Sequence, residues 1–360
     1  FRKGIRMLAP IPHRSPVAVL FMAFVLVLAS MGSALAQQDA GQILRQIEGT
    51  PSPPRLPDAQ LIDQRPALRK EISDVPDLKL EITGFTVSGV PNEERAVILE
   101  KLALGKGPDK TFQDILDAAG VVRSHLNGRG YFLAQAYVPE QKLQGGVVEI
   151  AVLLGHLGKV ELNYDPATPV SRRQVQAHLD HLRTGVVLRT ADLERVLFLL
   201  NDLHGVRALS TIRPGAEPGT ADLVVDVGPD PTLSGQIQLD NMGSRFTGVG
   251  RASGSLMFGS PSGVGDSLSL RGIFGQDSGI NFGSLSYVRP LGSDGWRVGA
   301  SYSHLNYKLL TRTGIPPGTG DASDVLLFAL YPLVRSRNFN VFVQTGYDHK
   351  DFVDNPNAGA

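Results

Sequence analysis

A chain of 360 residues with 42% hydrophobic content can bury a sizeable core and points to two or three domains. Lys and Arg number 35 and so do Asp and Glu, so net charge is zero, which excludes a global field for nucleic acid or an acidic partner. The absence of Cys excludes disulfide, thiolate and cysteine-ligated metal chemistry, and 40 Gly with 24 Pro suits turn-rich β structure better than a compact α/β enzyme.

Arg2, Lys3, Arg6 and Arg14 precede an apolar run over residues 17–29, and Ala34-Leu35-Ala36 follows before Gln37. Basic, apolar, then A-x-A is the pattern of a cleaved secretory signal, expected here over residues 1–36. The alternative is a membrane anchor, but spanning takes about 20 apolar residues and this run is shorter. No later segment is apolar enough for a transmembrane helix, so a place in a membrane requires a barrel. In residues 39–48, Ile43, Leu44 and Ile47 share one helical stripe. The short helix either frays or docks elsewhere in the protein. TPSPPRLPDAQ follows and is expected to be extended.

Residues 78–90 read as a strand with Leu80, Ile82, Phe85 and Val87 as its apolar positions. Asn92 is expected to cap a helix over 93–104, and Thr111 a second one reaching about Asn127. Ile115, Leu116, Ala119, Val122 and Leu126 of that helix should face inward. Strands over 131–138 and 146–154 complete a β-α-α-β-β order. The same order recurs with a strand at 156–164, helices at 171–182 and 190–203, and strands at 206–213 and 221–227. Leu193, Val196, Leu197 and Leu200 are the inward positions of the last helix. The two copies read as tandem domains, each with two helices on a three-stranded sheet whose exposed edges are either protected or used.

Beyond Pro231 strands are expected near 233–241, 249–258, 266–274, 280–289, 295–307, 323–333 and 338–348. In the first, Leu233, Ile237 and Leu239 fall on one face and Gln236, Gln238 and Asp240 on the other. Trp296, Val298, Ala300 and Tyr302 alternate with Arg297, Gly299, Ser301 and Ser303. A soluble antiparallel sandwich also alternates. The signal, the strand length and the Trp and Tyr near strand ends favour a membrane barrel. Arg251 and Arg271 should then face a wet lumen.

At this point the layout resembles the two-partner secretion outer-membrane transporters (the TpsB group), and the tandem units resemble POTRA domains. Gly130-Tyr131, Ala136 and Pro139-Glu140-Gln141 are similar to that family's G-Y-x(4)-A-x(2)-P-x-Q pattern. Residues 218–225 resemble its closing hairpin, and Tyr287-x-x-Pro290-Leu291-Gly292 with Gly295-Trp296 a later one. Asp240, Asn241, Gly243, Ser244 and Arg245 resemble its barrel-start L-D-N-x-G-S-R. The resemblance implies a division into a signal (1–36), a helix and Pro-rich linker (37–77), a first unit (78–154), a second unit (155–230) and the start of the barrel (231–360). It implies roughly sixteen barrel strands, of which about seven fit here, while the V-R-G-[YF] pore loop and C-terminal strand are absent. An open seven-stranded sheet leaves a bare edge in lipid, so this stretch alone should not insert or transport.

The expected function is an outer-membrane pore, lipid-embedded, for a secreted TpsA-type polypeptide, with no nucleotide, nucleic acid, cofactor or metal. The partner is expected to add a strand to a sheet edge, at Leu80, Ile82, Phe85 and Val87 or at Tyr131, Leu133, Gln135, Pro139 and Gln141. Ile43, Leu44 and Ile47 would plug the pore at rest. Rival readings are a barrel-assembly factor, a soluble periplasmic binding protein with an appended sandwich, and a passive porin. No G-x-S-x-G, Walker A, G-x-G-x-x-G or H-E-x-x-H occurs, and no catalytic residue is expected. His178 and His181 lack a third ligand and read as a solvated helix surface. Asp192 and Glu194 read as first-turn charges favoured by the helix dipole.

Overall fold

The computed structural model describes residues 40, 43–44, 61–64, 79–310 and 318–356. The expected signal, Ile47 and most of the Pro-rich linker lie outside the described residues.

The first unit begins with β1 of the linker aside: β1 (Leu61–Asp63) belongs to the second unit, described below. The expected strand over 78–90 is divided at Thr83 into β2 (Leu80–Ile82), paired with β4 (Gly107–Lys110), and β3 (Gly84–Ser88), paired in parallel with β6 (Val147–Leu153). Between them lies α1 (Asn92–Leu102), whose N-cap is Pro91 rather than Asn92, with no side-chain cap. α2 (Phe112–Gly128) starts as expected at Thr111. The Asp114 amide donates to Thr111 Oγ1, and the Thr111 amide donates to Asp114 Oδ2 at 2.7 Å, closing a reciprocal cap. Ile115, Ala119, Val122 and Leu126 are buried as read, with Ala118, while Leu116 is only half-buried. Strand β5 (Gln135–Tyr137) is much shorter than expected, because residues 131–134 form a turn closed by the Ala134 amide on the Tyr131 carbonyl. The sheet order is β3-β6-β5, and Phe85, Val87, Val148 and Ile150 meet the two helices in one core.

The second unit repeats this plan. β7 (His156–Tyr164) pairs in parallel with β9 (Thr220–Pro229), and β8 (Val206–Pro214) pairs antiparallel with β9. α3 (Arg172–Leu179), capped by Ser171, and α4 (Thr190–Asn201) cover the sheet, with Leu193, Val196, Leu197 and Leu200 inward as read. β1 extends this sheet to the order β1-β8-β9-β7.

The third layer is one antiparallel sheet in chain order: β10 (Leu233–Asp240), β11 (Arg251–Gly259), β12 (Ser267–Gly275), β13 (Ile280–Leu291), β14 (Trp296–Leu309), β15 (Gly318–Arg335) and β16 (Asn340–Asn355). All seven expected strands are present, though β15 begins five residues before the expected 323 and β16 runs on to 355. The small and acidic stretch GTGDAS carried too weak an alternation to be read as strand. Among the described residues β10 and β16 are the edges of this sheet. No helix among the described residues is long and apolar enough to cross a membrane.

Candidate functional site

Register fixes the two faces of the large sheet. Gln236, Ser255, Arg271, Ser284, Ser303, Asp324 and Lys350 lie in one cross-strand row, all on the same face. Arg251 pairs with Asp240 on that face, its Nε 3.0 Å from Oδ1. The opposite face carries Leu239, Leu256, Leu270, Leu285, Tyr302, Leu327 and Tyr347, all exposed. Leu233, Ile237 and Leu239 are exposed there as read, and both arginines occupy the polar face as expected. On β14 this outer band runs from Trp296 to Tyr302 and then yields to His304 and Asn306. On β15 the change comes between Asp321 or Ser323 and Val325. The band therefore has a defined upper limit.

The polar face is not empty at its far end. Ala40, Ile43 and Leu44 are helical and fully buried against Ile273, Ile280, Phe282, Leu305, Tyr307 and Leu309. Of the three expected plug residues, Ile43 and Leu44 are thus seated on the inner face. The Ala40 amide donates to Asp354 Oδ1 at 3.2 Å, and Tyr307 Oη donates to the same oxygen at 2.6 Å. Phe246, also in contact with this cluster, is supplied by the loop that the barrel-start residues build. There Asp240 Oδ1 accepts from the Met242 amide, and Ser244 Oγ from the Phe246 amide. The Gly243 amide reaches the Val249 carbonyl at 2.9 Å, and the Arg245 guanidinium lies 4.8 Å over the Phe246 ring. A Cβ on Gly243 would come within 2.1 Å of the Gly248 carbonyl oxygen, so only glycine fits that close approach. Asn241 is exposed at the loop's start.

In the first unit, among the described residues, β3 and β5 each pair only with β6, while Leu80 and Ile82 of the first expected edge lie on β2, which β4 already pairs. Their side chains are otherwise committed. Ile82, Phe85 and Val87 are buried in the core with Leu80 packed beside it, so β3 can offer a partner its backbone and the outward Thr86 but none of its apolar side chains. The Gln141 amide already reproduces a strand pairing, donating to the Glu149 carbonyl at 2.9 Å and accepting from its amide at 2.8 Å. Beside it, Pro139 is half-buried. Tyr131 and Leu133 are not on a free strand at all. Arg189 lies 4.5 Å over the Tyr131 ring, Thr190 N–H donates to the Gly130 carbonyl, and Leu133 is buried in the second unit's core. A Cβ on Gly155 (φ +81°) would meet Leu133 Cβ at 2.3 Å, so the turn between the units requires glycine twice over. Leu133 and Gln135, with Leu153 and the β8–β9 hairpin at Pro214 and Pro218, line an apolar cavity of about 280 Å³ between the units.

The joint between the second unit and the sheet was not legible in the sequence. Arg335 grips Asp202 bidentately, Nε to Oδ2 at 3.0 Å and Nη2 to Oδ1 at 2.7 Å, with its guanidinium over Phe198. Arg297 Nη2 donates to the Asp202 carbonyl at 2.9 Å. Arg195 donates to the Pro332 and Asp294 carbonyls and to Tyr331 Oη, and Gln174 Nε2 to the Gly292 carbonyl. Glu194, read as a helix-dipole residue, instead accepts from the Arg337 amide. His178 is a correction too: it is buried, with Nδ1–H on the Gln174 carbonyl, and burial pushes its pKa down. His181 points to Ser293 and Asp294 across the joint. The only available signal was Arg at strand ends next to turns, which a lumen position explains equally well.

The chain matches the POTRA domain, ShlB-type, over residues 80–155, and the haemolysin secretion/activation protein ShlB/FhaC/HecB family over 219–352. It is 24% identical over 358 residues to the heme/hemopexin transporter protein HuxB of Haemophilus influenzae strain 86-028NP, covering 96% of this chain and 62% of that one. It is 26% identical over 228 residues to the outer membrane transporter CdiB of Escherichia coli O6:K15:H31, covering 62% of this chain and 38% of that one. The solved structure of CdiB from Escherichia coli shares the fold at a TM-score of 0.58 and 20% identity, covering 98% of this chain and 61% of that one. The chain spans about three-fifths of the length of the HuxB relative.

Proposed function

We propose that this chain, a member of the haemolysin secretion/activation (ShlB/FhaC/HecB) family of outer-membrane transporters, is the periplasmic and pore-forming portion of a two-partner secretion pore. In that reading the POTRA units lie in the periplasm, and the sheet is a run of barrel staves in the outer membrane. The cargo is a secreted polypeptide of the TpsA type. One observation carries it: a single sheet with an apolar outer face and a Ser-, Gln- and Arg-bearing inner face, bolted at its near end to the second of two tandem units whose sheets have strand edges. A passive porin has no use for those units. The helical residues Ala40, Ile43 and Leu44 support a plug on the inner face.

An unfolded chain entering from the periplasm first meets the first unit. Antiparallel pairing leaves the Ala136 amide and carbonyl turned away from β6, free to bond an incoming strand. Backbone bonds supply affinity there, and the neighbouring 280 Å³ cavity takes an apolar side chain. With no nucleotide in the periplasm, folding of the cargo outside draws it forward. The test uses the full-length protein in planar bilayers. Deleting residues 39–48 should raise single-channel conductance, and Ala136→Pro should abolish cargo binding without lowering that conductance. Unchanged conductance after the deletion overturns the plug, and full cargo binding by Ala136→Pro overturns the β5 edge.

A further inference from the structure

We infer that the outer edge of β8 is a second strand-accepting site, held closed by the chain's own segment Leu61–Asp63 and opened for an extended segment of the cargo. The inference rests on the transporter reading above.

The two units share one sheet plan, a central strand with a parallel neighbour on one side and an antiparallel neighbour on the other. By that plan β8 in the second unit is the counterpart of β5 in the first. The outer edge of β5 is open among the described residues; the outer edge of β8 is filled. Leu61, Ile62 and Asp63 run parallel to Ser210, Thr211 and Ile212, and the Gln64 amide donates to the Ile212 carbonyl at 3.0 Å. A segment remote in sequence thus already docks there by strand addition, which demonstrates what the edge accepts.

The occupant is built to be displaced. It covers three positions of a nine-residue strand, and Ile62, Asp63 and Gln64 remain exposed, so these three bury little side-chain surface on the edge. Its strength comes from being tethered. Sixteen residues, 45–60, join it to Leu44 at the far end of the large sheet. The far end is opposite the joint, and β14 alone is fourteen residues long, or roughly 46 Å at about 3.3 Å per residue. Seventeen steps of chain reach at most about 60 Å. Sixteen residues are thus enough to join the two, and one tether carries both the helix and the strand. A tether of this kind presents its strand at an effective concentration on the order of millimolar. A cargo segment that pairs along all nine positions of β8 makes up to three times the backbone contact and can replace it. Displacing β1 then frees the end of the tether that leads to the helix, which links cargo arrival to opening of the pore.

The test uses the full-length protein in detergent micelles with two fluorescein-labelled peptides. One has the sequence AQLIDQR, matching residues 59–65. The other is a nine-residue alternating Thr-Val strand. Ile62→Pro with Gln64→Pro, which strips the donors of β1, should bind both peptides at least tenfold more tightly than the unsubstituted protein. Ile62→Cys with Thr211→Cys, in a stretch that has no other cysteine, should lose peptide binding when oxidised and regain it with dithiothreitol. In cells the oxidised pair should cut cargo export at least tenfold, reversibly. Equal peptide affinity in the opened and unsubstituted proteins overturns the edge, as does full export by the locked pair. If the unsubstituted protein exports nothing, the transporter reading falls instead, and the peptide affinities still decide the edge.

Discussion

Glu94 shows how much a single side chain can hold that its sequence context does not announce. It sits in the first turn of α1 and is buried, with Oε2 at 2.8 Å from His125 Nε2 and Oε1 at 2.7 Å from Arg129 Nε. The bond from Arg129, then that from His125, holds its carboxyl below the ordinary value of 4.5. A depressed carboxyl contributes stability that is present above the ordinary value and lost as pH falls through the folded one. Glu94→Gln should therefore lower the unfolding free energy of the first unit by about 1–3 kcal/mol at neutral pH. In urea titrations the gap to the unsubstituted protein should narrow below pH 4.5. A gap that is constant with pH would place the stabilisation elsewhere. The helix that carries His125 and ends beside Arg129 was visible in the chain, but nothing local pointed either side chain at α1.

At the scale of the element, period-2 alternation made the strands of the large sheet legible down to which side each residue faces. Leu327 pairs with Ala300 and Tyr347 across the middle of the outer band and is exposed, so nothing but its surroundings sets the cost of changing it. Leu327→Arg should destabilise the full-length protein folded in lipid bilayers by about 2–4 kcal/mol. The same change at Ser323, above the band, should cost much less. Equal losses at the two depths, measured by urea unfolding from vesicles, would argue against a membrane band. Short elements were the weak point. β5 shrinks to three residues because Tyr131 and Leu133 are drawn into the seam between the units, where Arg189 and Gly155 receive them. Alternation over 131–138 was real, but an edge strand with a neighbouring domain beside it loses residues to that neighbour.

At the scale of the molecule the joint between the second unit and the large sheet is held by a buried charge cluster. Asp202 lies between two arginines, with Arg335 wholly buried and Arg297 nearly so. Removing the carboxylate strands a buried cation, which costs about 3–5 kcal/mol. Asp202→Ala should accordingly loosen the second unit from the sheet, seen as faster protease cleavage between Asp230 and Leu233 and a fall in export, with outer-membrane level maintained. Asp202→Ala combined with Arg335→Leu should recover much of the lost protease resistance, because the wholly buried cation is then gone and Arg297 keeps its bond to the backbone carbonyl at position 202. No recovery would mean that the joint depends on the hydrogen bonds of Arg195 and Gln174 rather than on this cluster.

The sequence by itself determined the order of the elements, the helix start at Thr111, the inward stripe of α4 and the two faces of the large sheet. Each of these depends on neighbours within a few residues or on a repeating period. Tertiary structure alone decided where Ile43 and Leu44 dock, that Leu61–Asp63 completes the sheet of the second unit, and that Asp202, Arg297 and Arg335 meet. Those contacts join residues more than 90 positions apart, through apolar packing for the helix, backbone bonds for the strand and charges at the joint, and nothing along the chain marks which distant residue each one meets.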